Sequence, residues 1–159
     1  MDYLAIYVTL KLALVTTIFL MVIAAPVAYA LAYYRFAGKS FLEALIYLPM
    51  ALPPTVIGFY LIILMGPKGF VGKIWQVLTG GSLLFTFIGI TMASIIYSIP
   101  FAVQPMKAAF SKIDRRLLES AYVLGLSRKA TFFRVIIPNS VSGIAAAAIL
   151  VFLHSIGAF

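Results

Sequence analysis

The chain contains no cysteine, which excludes disulfides, thiolate metal sites and a cysteine nucleophile and leaves the redox compartment open. Its 159 residues include only four acidic side chains and one histidine. There is no H-E-x-x-H motif and no intramembrane aspartate pair, so no catalytic or metal-ligating constellation is expected. A G-x-x-x-x-G-K-[ST] nucleotide loop is missing too. The nearest look-alike, Gly72-Lys73, is followed by Ile74 and has Pro67 where the first glycine belongs. Charged residues make up 10% of the chain, against about 25% in an average soluble domain.

What is present is apolar. Hydrophobic residues reach 64%, more than one small core can hide, so the composition points to an all-α membrane protein. Four stretches are long enough for a bilayer core, which takes about 20 helical residues. They are 12–34, 42–65, 83–103 and 140–159, and together they read as one transmembrane domain over 1–159. Asp2 comes early, and the first apolar run is longer than a leader's core, so the N-terminal segment reads as a span. Prolines punctuate the spans: Pro26, then Pro49, Pro53 and Pro54, then Pro100. Each removes a backbone donor and crowds the preceding turn, so kinks or breaks are expected. Broken backbone at membrane depth persists only where it is buried in protein or lines a water-filled cavity. In the last span, "SVSGIAAAAI" offers small residues for close helix packing.

The net charge of +8 is unevenly placed. Arg35, Lys39, Lys107, Lys112, Arg115, Arg116, Arg128, Lys129 and Arg134 fall on one face, and Lys11, Lys68 and Lys73 on the other. The positive-inside rule therefore predicts a cytoplasmic 104–139 loop and an outer N-terminus, with no nucleic-acid partner needed to explain the charge. The outer 66–82 loop holds the turn signal "GPKG" and Trp75, an interfacial anchor.

The cytoplasmic loop has its own grammar. Leu117, Leu118, Ala121 and Leu124 are spaced for one face of a short helix over 115–124. Gly125 stands where a left-handed C-terminal cap belongs, and Ser127 is placed to N-cap a second helix that ends at Pro138 and Asn139. A helix–Gly–helix corner is expected. The same composition also suits a basic loop lying on anionic lipid.

A resemblance separates these readings. Glu119-Ser120-Ala121, then Gly125, then Val135-x-Ile137-Pro138 resembles the EAA loop of ABC importer permeases, with every spacing matched and mild substitutions at Ser120, Val135 and Ile137. In that family the loop is a coupling helix that docks on a cytoplasmic ATP-binding subunit. The resemblance implies Glu119, Ser120, Ala121, Leu124, Gly125 and Arg128 as docking residues. ATP and magnesium then belong to the partner subunit, and no cofactor to this chain.

"LPMALPPTVIGFY" with Gly69, Phe70 and Gly72 is similar to the second span and outer loop of molybdate-type permeases. "HSIGAF" resembles their terminal "SLGEFG", with Ala158 where an acidic residue is usual. Sulfate and thiosulfate permeases are close alternatives, and a non-transporting membrane protein that keeps the docking loop is another. The resemblance implies a type I importer permease in a bacterial or archaeal inner membrane, acting as a homodimer. It implies an extracytoplasmic oxyanion-binding protein and further spans beyond Phe159.

For the path itself, Pro53, Pro54 and Thr55 at the predicted break, with Thr91, Ser94 and Ser98 at helical spacing, are the candidates; hydroxyls bonded back to their own helix are the alternative. His154 inside the last span reads as a packed residue, and Glu43 lies at the edge of the second.

Overall fold

A computed structural model describes residues 3–157. Asp2, Ala158 and Phe159 lie outside the described residues, and with them the end of the last predicted span. The described chain is helical throughout, without strands.

Helix α1 runs Tyr3–Tyr33, 31 residues or about 46 Å at 1.5 Å per residue. It begins well before the expected 12. Lys11 does not interrupt it, because lysine is a good helix former and its ammonium lies 5.2 Å from the centroid of the Phe87 ring. Pro26 sits inside the helix without ending it. One stripe is buried: Leu20, Ala24, Ala28 and Leu31. The opposite side, with Ile18, Phe19 and Val22, is exposed and suited to lipid.

The second predicted span is two helices. α2 covers Lys39–Ala51 and α3 covers Pro54–Met65, with 114° between them. The Pro53-Pro54 pair is the physical cause. A residue before proline is pushed out of the α region, and here two in a row obey: Leu52 lies at ψ 142° and Pro53 at ψ 142°. Pro54 then opens α3, where its missing N–H costs nothing. Pro49 stays inside α2.

The 66–82 segment is not a simple loop. It holds α4, Phe70–Thr79. A Cβ on Gly72 would collide with the Gly66 and Met65 carbonyls, so only glycine lets α4 fold back on the end of α3. Phe70, Ile74, Val77 and Leu78 form its exposed apolar face, and Trp75 is half-buried.

α5 spans Phe87–Ser111, later at both ends than the predicted 83–103. Thr86 fixes its start by accepting from the Gly89 amide at 3.1 Å. It continues through Pro100 and Pro105, which packed neighbours tolerate. Two short helices follow in the 104–139 region: α6, Arg115–Val123, and α7, Arg128–Asn139, the latter widened to a π turn at Phe132–Ile136. α8, Val141–Gly157, leaves α7 at 76°.

α1, α5 and α8 pack on one another around Ala24, Ala28, Ala102, Val103, Ala147 and Val151. The alanines among them let backbones approach, which strengthens the van der Waals packing that helps drive helix association in lipid. Of the "SVSGIAAAAI" stretch, Gly143 and Ala147 make this contact, while Ala145 and Ala146 are exposed. α1 and α5 each have the length and apolar character to cross a bilayer alone; counting each bent pair as one span gives four.

Candidate functional site

The corner is built by local hydrogen bonds. Asp114 caps α6 by accepting from the Arg116 amide at 2.9 Å. At the other end Gly125 takes φ 80°. Its N–H donates to the Tyr122 carbonyl at 2.9 Å, and the Leu126 N–H donates to the Ala121 carbonyl at 3.0 Å. This bond pair is the Schellman motif. Two residues on, Ser127 Oγ accepts from the Ala130 amide at 3.2 Å and starts α7. Direction is thus set locally, between Asp114 and Ser127.

Packing divides the predicted face of α6. Leu118 and Ala121 point inward, 8% and 4% exposed. Leu124 is the C-cap and leaves the helix, so it stands 80% exposed beside Val123 at 88%. Glu119, Ser120, Gly125 and Arg128 are exposed as well. Ala121 therefore differs from the other expected docking residues: it holds α6 down and presents nothing outward. Val123 replaces it at the tip, a residue the spacing did not single out.

Between α6, α7 and the end of α1 is a cavity of about 410 Å³ lined by Tyr29, Tyr33, Tyr34, Tyr122, Arg115, Arg128 and Glu119. The Tyr33 hydroxyl donates to the Phe110 carbonyl at 2.6 Å, tying the end of α1 to the end of α5. The Tyr29 ring meets Tyr33 at 5.1 Å and Phe132 of α7 at 5.2 Å, in tilted and edge-on geometry. The aromatic spacing in "YALAYY" was the available signal for this cluster.

A larger cavity, about 710 Å³, opens between α3, α5 and α8. It brings together Pro54 and Ser94 from the expected path residues. The others lie elsewhere. Pro53 and Thr55 are exposed on the bend. Thr91 Oγ1 donates to the Phe87 carbonyl of its own helix at 2.7 Å. Ser98 is buried, its hydroxyl without a partner among the described residues. The cavity also takes in His154, whose ring lies over Phe101 at 4.2 Å and beside Tyr97 at 4.7 Å. A lone histidine in an apolar span gave no signal for this placement. Among the described residues no three His, Asp or Glu side chains converge as a metal site.

Comparison with known proteins gives the following. Residues 22–159 match the family described as "Binding-protein-dependent transport system inner membrane component". A molybdenum transport system permease protein of Azotobacter vinelandii is 46% identical over 158 residues, covering 99% of this chain and 70% of that protein. Its namesake in Haemophilus influenzae is 35% identical, covering 100% and 69%. A sulfate transport system permease protein of Escherichia coli K12 is 35% identical over 152 residues, covering 96% and 54%.

Proposed function

Since the chain belongs to the binding-protein-dependent transport system inner membrane component family, we infer that it is the membrane-spanning permease subunit of an ATP-driven importer of molybdate. The choice of molybdate is supported by 46% identity across 99% of the chain to a molybdenum permease. A sulfate-type substrate is the second reading, supported by 35% identity to a sulfate permease that the chain covers less fully.

The observation that carries the mechanism is the corner. Val123 and Leu124 are large apolar side chains held outward on a backbone that the Schellman bonds make rigid. Exposed apolar groups at a fixed turn suit insertion into a groove of a partner. That partner is an ATP-binding subunit, consistent with the lack of a nucleotide loop in this sequence. Glu119 and Arg128 flank the tip and give the contact its polar rim. The basic residues of the 104–139 region support a cytoplasmic position for it.

Movement at the corner reaches the spans through packed side chains. Leu118 of α6 and Ile136 of α7 belong to the same buried cluster as Leu31 of α1 and Phe110 of α5. Closure of two ATP-binding subunits shifts a population between inward-open and outward-open arrangements. Two copies of the permease, an extracytoplasmic binding protein for the oxyanion, and surrounding lipid complete the assembly. The path runs past the bend at Pro54 and along the Ser94 side of α5.

The test is uptake into proteoliposomes holding the permease and its ATP-binding subunit, with binding protein and radiolabelled molybdate supplied on the outer face. ATP-dependent accumulation of molybdate that excess sulfate does not suppress supports the reading. Accumulation of sulfate alone moves the assignment to the second reading, and accumulation of neither removes the transport function.

A further inference from the structure

One face of α6 is neither apolar nor part of the docking tip. Arg115, Leu118, Glu119 and Tyr122 follow the i, i+3, i+4, i+7 spacing of a single helical stripe. All four line the cavity of about 410 Å³ against the end of α1 and the start of α7, and Val123 and Leu124 do not. Of the four only Leu118 is buried. A stripe built for packing would be apolar throughout.

Polar groups converge on this space. The Tyr33 hydroxyl is spent on the Phe110 carbonyl. That leaves the hydroxyls of Tyr29, Tyr34 and Tyr122 for the cavity, and those of Tyr34 and Tyr122 both approach that of Tyr29. Arg115 and Arg128 reach the same space from different helices. Glu119 shares it, yet no nitrogen of either guanidinium lies within 4.0 Å of a Glu119 carboxylate oxygen. Opposite charges that line one cavity without pairing leave room for a ligand carrying both an anion and a hydroxyl. The volume falls within the range of small-molecule sites. Lys39 adds a cation beside the rim, its ammonium 3.5 Å from the Tyr34 carbonyl oxygen.

The location narrows the ligand. Tyrosine gathers where a membrane meets water, and Tyr29, Tyr33 and Tyr34, followed by Arg35, close the first span. The cavity therefore sits at headgroup level, where basic pockets between helices take anionic lipid headgroups.

We propose that this cavity holds the headgroup of an anionic phospholipid with free hydroxyls, of the phosphatidylglycerol type. Its phosphodiester lies between Arg115 and Arg128 and accepts from the Tyr29, Tyr34 and Tyr122 hydroxyls, and Glu119 accepts from a headgroup hydroxyl. A free tetrahedral oxyanion shares the guanidinium chemistry, but it offers no hydroxyl to Glu119 and no acyl chain to the membrane. The site goes beyond the transport reading, since it needs only that α1 reaches the membrane surface. A lipid held here braces α6 and α7 against α1.

The test is native mass spectrometry of the purified full chain titrated with phosphatidylglycerol against excess phosphatidylcholine, whose headgroup has neither net charge nor a hydroxyl. One phosphatidylglycerol is expected to stay bound. Arg115→Gln is expected to raise the half-saturating lipid concentration about tenfold, the loss of one hydrogen bond to a charged group. Tyr29→Phe keeps the ring packed on Tyr33 and Phe132 and should raise it about threefold. Arg116→Gln removes the same charge from the next position of α6, outside this cavity, and should leave the value within about twofold. Equal losses from Arg115→Gln and Arg116→Gln, or equal retention of phosphatidylcholine, overturn the site in favour of diffuse attraction to the surface. Inorganic phosphate or molybdate that displaces the lipid at equal concentration overturns the lipid as its occupant. The titration is repeated with the ATP-binding subunit bound, and the lipid is expected to remain. Its loss there would give the cavity to the partner and overturn the proposal. No step uses ATP, binding protein or uptake, so failure of the transport reading leaves this result standing, and failure of the lipid site leaves uptake untouched.

Discussion

Lys107 Nζ stands 2.6 Å from Glu43 Oε1, and this contact joins α2 to α5 across 64 positions of sequence. The two side chains are 28% and 25% exposed, so the pair is partly shielded from solvent. It is the one ion pair among the described residues. Removing one partner strands the other, at a cost of about 1–3 kcal/mol. Glu43→Gln and Lys107→Met are each expected to lower the melting temperature of the purified permease. The charge swap Glu43→Lys with Lys107→Glu should recover most of the loss. A swap no more stable than the sum of its single changes would mean that packing, not charge, joins these helices.

Gly125 at φ 80° has open space around its missing Cβ, so the cost of a side chain there comes from backbone conformation alone. Asparagine tolerates the left-handed region and a β-branched residue does not. Gly125→Asn should keep co-purification with the ATP-binding subunit. Gly125→Val, at a cost of roughly 1–2 kcal/mol, should insert in the membrane but lose that association. Equal association of both variants would remove the corner from the coupling mechanism.

The inward and outward residues of α6 should separate by phenotype. Leu124→Glu changes a side chain 80% exposed, and is expected to abolish binding of the ATP-binding subunit while leaving the melting temperature within about 1 °C. Leu118→Ala empties a site only 8% exposed, and should destabilise the permease by about 2–3 kcal/mol. Pull-down and thermal melting on the same two proteins decide it; a Leu124→Glu variant that still binds would relocate the docking surface.

Gly143 faces the methyl of Ala109 and the carbonyl of Pro105 across the α5–α8 contact. A side chain at 143 must push the helices apart. Gly143→Val should cost about 1–3 kcal/mol of stability, the usual range for overpacking. Ala109→Gly in the same chain, by removing the facing methyl, should restore part of it. Lack of rescue in thermal melting would indicate that the helices separate elsewhere first.

Orientation has a simple reporter. Ser127→Cys should resist a membrane-impermeant thiol reagent in intact cells, and Gly81→Cys should react. Gly81 suits the outer position because open space surrounds its missing Cβ, whereas a Cβ at Gly69 meets the Leu64 and Ile63 carbonyls. The reverse labelling pattern would invert the proposed topology and move the docking surface to the wrong side for ATP.

The sequence by itself determined what a few neighbouring residues enforce. Pro53-Pro54 demands extended backbone before each proline, so the break at 52–53 is written locally. Gly125 and Ser127 dictate a cap, a turn and a new helix within three residues. Apolar run length marks helices fit for a membrane without reference to any neighbour. Tertiary structure alone decided the rest, because each remaining feature depends on which surfaces meet. The turn of 114° after the proline break follows from where α3 packs, and α4 exists because Gly72 fits beneath the end of α3. Ala121 and Leu124 read alike in periodicity, but the helix end separates them, one against the core and one into solvent. Glu43 found Lys107, and His154 found Tyr97, Phe101 and the Ser94 cavity, through contacts between separate helices. Helical spacing records which face a residue occupies, and in lipid, where every face is apolar, it does not record which neighbour that face will meet.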